Sequence, residues 1–155
     1  MMLFIVGCSK SKTSDQNTSE KTFADGIHLT DLNGNRINLS DYRGKTIILN
    51  IWATWCKPCI EEFPSMQSLQ NTLDPKRFEF LFASSEDENR IEKFKSKNSF
   101  DLNFVKLTTS PESLGIYSLP ITFIIGSKGE LLLTQNGSKD WSSKESIETL
   151  KKISI

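Results

Sequence analysis

Two cysteines, Cys56 and Cys59, stand two residues apart in the stretch IWATWCKPCIEEFP, behind Trp55 and around Lys57 and Pro58. Thiols at this spacing can hold a metal, staple a fold or exchange electrons. A structural zinc site needs four ligands, commonly two such pairs or one pair with two histidines. The chain offers one further cysteine, Cys8, far off in sequence, and one histidine, His28. That set does not close a shell, so no metal is expected. A disulfide across so short a gap removes little entropy from the unfolded chain, because the gain grows with loop length. Redox chemistry fits better. If Cys56 opens a helix, the unpaired N–H groups and positive dipole end face its sulfur and favour the thiolate. The thiolate is the attacking species in disulfide exchange. Cys59 then lies one turn on, facing inward, placed to attack the mixed disulfide and release the partner.

The surrounding chain is patterned to hold the pair. Residues 46–52, TIILNIW, form a near-continuous apolar run, the pattern of a strand buried on both faces. Pro58 suits the first turn of a helix. Ile60, Phe63, Met66, Leu69 and Leu73 follow at spacings of three or four, which predicts one apolar stripe. Pro64 falls inside that helix and removes a backbone bond, predicting a kink. Upstream, residues 27–39 predict a hairpin. Ile27 and Leu29 lie on one arm, Ile37 and Leu39 on the other, and Asn33-Gly34 would form a type I′ turn. Downstream, residues 78–84 predict a second buried strand. Residues 86–97 predict a charged helix with Ile91 and Phe94 inward, and residues 102–107 a third strand. Ser110, Pro111 and Glu112 read as N-cap, first-turn proline and dipole-friendly acid of a short helix to Tyr117. Residues 121–125 and 130–135 flank GSKG as an antiparallel pair. A last helix is expected to open on a capping box of Ser142 and Glu145, with Ile147, Leu150 and Ile153 inside. This order predicts an α/β domain with a mixed sheet covered on both faces.

The chain has 155 residues, a length suited to one domain of roughly 100–150 residues. Lys plus Arg and Asp plus Glu are both 19, for a formal net charge of zero. No basic excess points to nucleic acid. Residues 9–22, SKSKTSDQNTSEKT, contain no apolar side chain and cannot bury enough surface to offset their ordering entropy. A flexible polar tether is expected there, with the folded domain over residues 23–155. Ahead of the tether, residues 1–8 read MMLFIVGC. This run is too short for a transmembrane helix, which needs about 20 apolar residues.

MMLFIVGC resembles the lipobox of bacterial lipoproteins, with Ile5, Val6 and Gly7 ahead of Cys8. The resemblance implies cleavage before Cys8 and a lipid on it. A secretory signal carries a charged n-region, and none precedes this run; a start upstream of Met1 would supply one. The domain resembles thioredoxin-fold proteins, and more narrowly their extracytoplasmic, membrane-tethered TlpA/ResA-like branch. NIWATWCKPCIEEFP matches the active site. LTDLNGNRINLSDYRGKTIILNIW matches the added N-terminal hairpin and first core strand. SLPITFII matches the segment of the cis-proline, GSKGELL the hairpin after it, and Gly137 with Trp141 the closing motif. The match is looser between residues 78 and 110.

Within this resemblance, Cys56 is the expected nucleophile and Cys59 the resolving thiol, with no cofactor beyond the pair. Lys57 is a candidate for lowering the Cys56 pKa, or a side chain that points to solvent. Thioredoxin's aspartate, six residues before the first cysteine, is replaced by Asn50, which cannot take a proton. A glutamate three residues after the second cysteine serves in the tethered branch, and Glu62 matches it. Desolvation would raise its pKa and let it relay the Cys59 proton. X–Pro bonds are cis in only ~5–6% of folded cases, yet the resemblance implies a cis Leu119–Pro120 bond beside the cysteines. The Leu119 backbone would then pair with an extended substrate segment. Trp52 is expected in the core. Trp55, with Pro58, is expected to form an apolar docking rim. His28 reads as an ordinary strand residue.

The resemblance implies a thiol–disulfide oxidoreductase, lipid-tethered outside the cytoplasm. Its partners would be cysteine-containing proteins, apocytochrome c among them, and a membrane thiol electron donor. An oxidant that introduces disulfides would share the fold and differ in potential. A non-enzymatic module docking through the Leu119 edge, its cysteines locked, is the rival from another class. A peroxidase would need a second redox centre or a threonine-flanked peroxidatic cysteine, and no candidate for either stands in the sequence.

Overall fold

The computed structural model describes residues 20–154. Cys8, its expected lipid, and the tether as far as residue 19 lie outside the described residues.

Three apolar runs become the centre of one sheet. β3 (Thr46–Ile51) is buried at every position. It pairs in parallel with β4 (Phe78–Ser84) and antiparallel with β6 (Ile121–Ile125). β5 (Phe104–Leu107) extends the parallel side. β1 (Leu29–Thr30) and β2 (Arg36–Ile37) add an antiparallel hairpin beyond it, and β7 (Leu131–Asn136) closes the far edge against β6. The sheet order is β2-β1-β5-β4-β3-β6-β7. This is the thioredoxin-like α/β fold with a mixed sheet and an added N-terminal hairpin.

Side chains alternate across a strand, so the sheet divides the core in two. Ile48, Trp52, Phe80, Phe82 and Phe104 face one side with Phe63, Met66 and Leu69 of α1 (Lys57–Thr72). Ile91 of α2 (Glu88–Lys97) and Leu150 of α3 (Lys144–Ile153) join that side. Ile47, Leu49, Ile51, Leu81 and Phe123 face the other, where Ala24, Ile27, Leu39 and Ile116 cover them. That second layer is built from single 3-10 turns, Ala24–Gly26, Leu39–Tyr42 and Pro111–Leu114.

Several boundaries differ from the sequence expectation, each for a local reason. Gly34 alone takes positive φ in the hairpin loop, +86°, so the loop is not a type I′ turn. Asp31 organises residues 31–35 instead. Its carboxylate accepts from the Asn33 and Asn35 N–H groups and the Asn35 side chain at 2.8–2.9 Å. Ile27 and Leu39 are buried but lie outside the paired residues. α2 begins at Glu88, capped by Asp87, two residues later than expected, because Glu86 is engaged elsewhere. Ser110 caps its turn as expected, but the turn ends at Gly115 with φ +71°. α3 is capped by Ser143, not by Ser142 with Glu145. The Ser142 hydroxyl donates to Asp140 instead, at 2.6 Å. α1 runs through Pro64 as one element.

Candidate active site

Cys56 is the N-cap of α1, and its sulfur accepts the Cys59 N–H at 3.3 Å. Pro58 follows in the first turn, where a missing N–H costs nothing. The two cysteines are joined as a disulfide. Cys56 is 4% exposed and Cys59 is fully buried, so the pair presents one accessible edge. The chain entering the helix is held tightly. Trp52 N–H reaches Ala83 O and Cys56 N–H reaches Ala53 O, both at 3.0 Å. Glu86 accepts from Thr54 N–H at 2.6 Å and from the Thr54 hydroxyl at 2.8 Å. That use of Glu86 was not legible in sequence, where it looked like the first residue of a charged helix.

Lys57 reaches out to solvent rather than into the core. Its ammonium lies 3.5 Å from Glu61, and both side chains are exposed. Trp55 is 70% exposed beside the pair, and Tyr117 is more so. Trp52 is core, in edge or tilted contact with Phe63, Phe94 and Phe104. The Leu119–Pro120 bond is cis. Leu119 packs against the cluster that contains both cysteines, and Pro120 O accepts the Gly137 N–H at 2.9 Å. His28 is exposed, on the chain leading into β1.

Glu62 sits one turn beyond Cys59 and is buried. Three donors converge on it. Asn50 Nδ2 reaches Oε1 at 2.8 Å; Trp141 Nε1 and the Lys139 N–H reach Oε2 at 3.0 and 3.3 Å. Burial pushes this carboxyl above its ordinary range, and the three donors pull it part of the way back. Its neighbour Glu61 is exposed. Glu62 also lines an open cleft of about 510 Å³ with Pro58, Ser65, Ser138 and Asp140. The arrangement combines a helix-capping disulfide with a buried acid that can gain or lose a proton near solvent.

Sequence reading placed Asn50 at the site without its bond to Glu62, and named Trp141 only as part of a closing motif. Thr122 it missed. Thr122 is buried opposite Asn50 in the β3–β6 register, and its hydroxyl accepts from Asn50 Nδ2 at 2.9 Å. The available signal was a polar residue inside each of two apolar runs, TIILNIW and ITFII.

A cysteine pair at the N-terminus of the first long helix of a thioredoxin-like sheet defines a thiol–disulfide oxidoreductase. Residues 21–133 match the AhpC/TSA family. ResA, the thiol-disulfide oxidoreductase of Bacillus subtilis strain 168, is 35% identical over 127 residues, covering 79% of this chain and 70% of that protein. The chain therefore belongs to the AhpC/TSA family, among its ResA-like thiol–disulfide oxidoreductases. Solved structures agree. A candidate thiol-disulfide oxidoreductase from Bacteroides vulgatus superposes with a TM-score of 0.70 at 25% identity, covering 81% of this chain and 90% of that one. The exposed lipoprotein thioredoxin Etrx1 of Streptococcus pneumoniae strain TIGR4 does so with a TM-score of 0.65 at 25% identity, covering 81% and 97%.

Proposed function

We propose that this oxidoreductase works as a reductase of disulfides in proteins outside the cytoplasm. Cys56 attacks a substrate disulfide as the thiolate, forming a mixed disulfide and expelling the substrate's other thiolate. Cys59 gives up its proton to Glu62 and attacks Cys56 Sγ, releasing the reduced substrate and leaving the Cys56–Cys59 disulfide. Two electrons pass to the substrate, and an upstream thiol donor restores the pair. Trp55, Pro58 and Leu119 form the docking rim beside Pro120, and Lys57 is a rim charge.

The observation that carries the direction is the environment of Cys56 Sγ. It receives the Cys59 N–H, while the adjacent cation, Lys57, is turned to Glu61. A helix N-terminus alone favours the thiolate modestly. Strong oxidants are strong because their reduced form is stabilised, so modest stabilisation supports a reductant. A measured reduction potential tests this: near about −270 mV agrees, and near about −120 mV assigns an oxidase. The Cys59→Ala variant, which lacks the resolving thiol, should accumulate mixed disulfides through Cys56. Mass spectrometry of the trapped species names the substrate, with apocytochrome c the family-based expectation.

Membrane attachment through a lipid on Cys8 completes the reading. It is supported by MMLFIVGC and by the likeness to a structure described as an exposed lipoprotein. Among the described residues no helix is long and apolar enough to cross a membrane. An intact Met1 on an unmodified mature chain would remove the lipid anchor from the proposal.

A further inference from the structure

The Glu62 network is built for a carboxylate. Every protein group bonded to its side chain, Asn50 Nδ2, Trp141 Nε1 and the Lys139 N–H, is a donor. A protonated Glu62 needs the opposite: an acceptor for its own O–H. A buried acceptor stands beside it unused. Asn50 Oδ1 is buried with no hydrogen-bond partner, although Asn50 Nδ2 bonds both Glu62 Oε1 and Thr122 Oγ1. An amide can present either its NH₂ or its oxygen by a half-turn about its last side-chain bond, and a hydroxyl can accept or donate.

We propose that Asn50 is a positioning residue whose side-chain amide turns over when Glu62 gains a proton. With Glu62 ionised, Nδ2 donates to Oε1 and to Thr122. With Glu62 protonated on Oε1, Oδ1 takes the place of Nδ2, accepting the Glu62 O–H and the Thr122 O–H. Oε2 keeps its bonds from Trp141 and Lys139 in both states. One end of the amide is unpartnered in each arrangement, so the framework itself does not strongly select one. The proton would enter from the cleft that Glu62 lines. The inference deepens the relay role proposed for Glu62: it explains how a buried carboxyl at the wall of a cleft can hold either charge state without leaving its place.

Other groups near Glu62 that titrate or carry charge are few. Cys59 lies one turn before it, and Glu61 pairs with Lys57 on its outer side. From the facing segment, Lys139 lies over the Trp141 ring at 4.9 Å, and Asp140 bonds Ser142. From β3 and β6 come Asn50 and Thr122, which stay neutral. In the disulfide-bonded protein neither cysteine titrates, so that form isolates Glu62.

The test is NMR of the oxidised full chain with labelled Asn, Thr and Glu. The Glu62 carboxyl carbon reports the proton, and cross-peaks from the Asn50 side-chain NH₂ to the Thr122 methyl report the amide. Across the Glu62 midpoint those cross-peaks should weaken several-fold, while the Trp141 indole N–H keeps its contacts. Glu62→Gln supplies the second arm. Its oxygen would meet Trp141 and Lys139, and its NH₂ would face Asn50, so the turned-over pattern should appear from pH 5 to 8 without titration. Unchanged Asn50–Thr122 cross-peaks on both sides of the midpoint would overturn the proposal, as would a Glu62→Gln spectrum that keeps the wild-type Asn50–Thr122 pattern. The relay reading fails separately, if Glu62→Gln leaves the exchange rate unchanged while the amide still turns.

Discussion

At the scale of the residue, Glu62 sets the pH behaviour. Its pKa is raised by burial, so the folded protein binds that proton more tightly than the unfolded chain does. The sign follows from linkage. Its contribution to stability is full below the ordinary glutamate value, about 4.3, and is lost as pH rises from there through the raised folded value. The oxidised protein should therefore lose stability over that window. Glu62→Gln should flatten the slope, as denaturant midpoints measured from pH 4 to 8 would show. The same variant should slow disulfide exchange by on the order of 10²-fold, the low end of what a positioned acid or base contributes. Stopped-flow reduction of a model disulfide measures it. The partners of Glu62 show where sequence reading stops. A glutamate three residues after Cys59 is visible in the letters. That its oxygens meet Asn50 from β3 and Trp141 from the segment before α3 depends on contacts 12 and 79 residues apart.

At the scale of the element, the helices illustrate the same divide. The stripe of α1 was legible because it is local: Phe63, Met66 and Leu69 are fully buried where a period of 3.6 puts them. Phe63 makes edge contacts with Trp52, Phe82, Phe100 and Phe104. Phe63→Ala should cost about 3–5 kcal/mol, read as a fall in the urea midpoint without a change of fold. The start of α3 was misread by one residue, because Ser142 and Ser143 are both good caps in isolation. The structure spends Ser142 on Asp140 and leaves Ser143 to accept the Ser146 N–H at 3.2 Å. Ser143→Ala should cost about 1 kcal/mol, and Ser142→Ala less, since its bond is exposed. Paired denaturation curves separate the two. The Asn33-Gly34 turn failed for a related reason. Asp31 offers the loop backbone a side-chain acceptor, and a competing local bond decides the turn.

At the scale of the molecule, the sheet brings together what the chain keeps apart. The disulfide stands on α1, Glu86 clamps its approach from beyond β4, and the cis Leu119–Pro120 segment leads into β6, which pairs with β3. Because the approach is clamped through Thr54, Glu86→Ala should loosen the Trp55 loop. Limited proteolysis should then cut near Trp55 faster, with the far core intact by hydrogen exchange. The letters alone determined the order of strands and helices, the buried runs and the C-x-x-C spacing, all local features that a one-dimensional chain records directly, whereas the choice of Glu62 as the neighbouring acid rested on resemblance to a family. Only the tertiary structure decided that Lys57 turns to Glu61, which residues satisfy Glu62, and that Asn50 keeps an unused acceptor beside it. Those depend on long-range pairing and on the competition of each polar group for a partner, and neither is written at any single position.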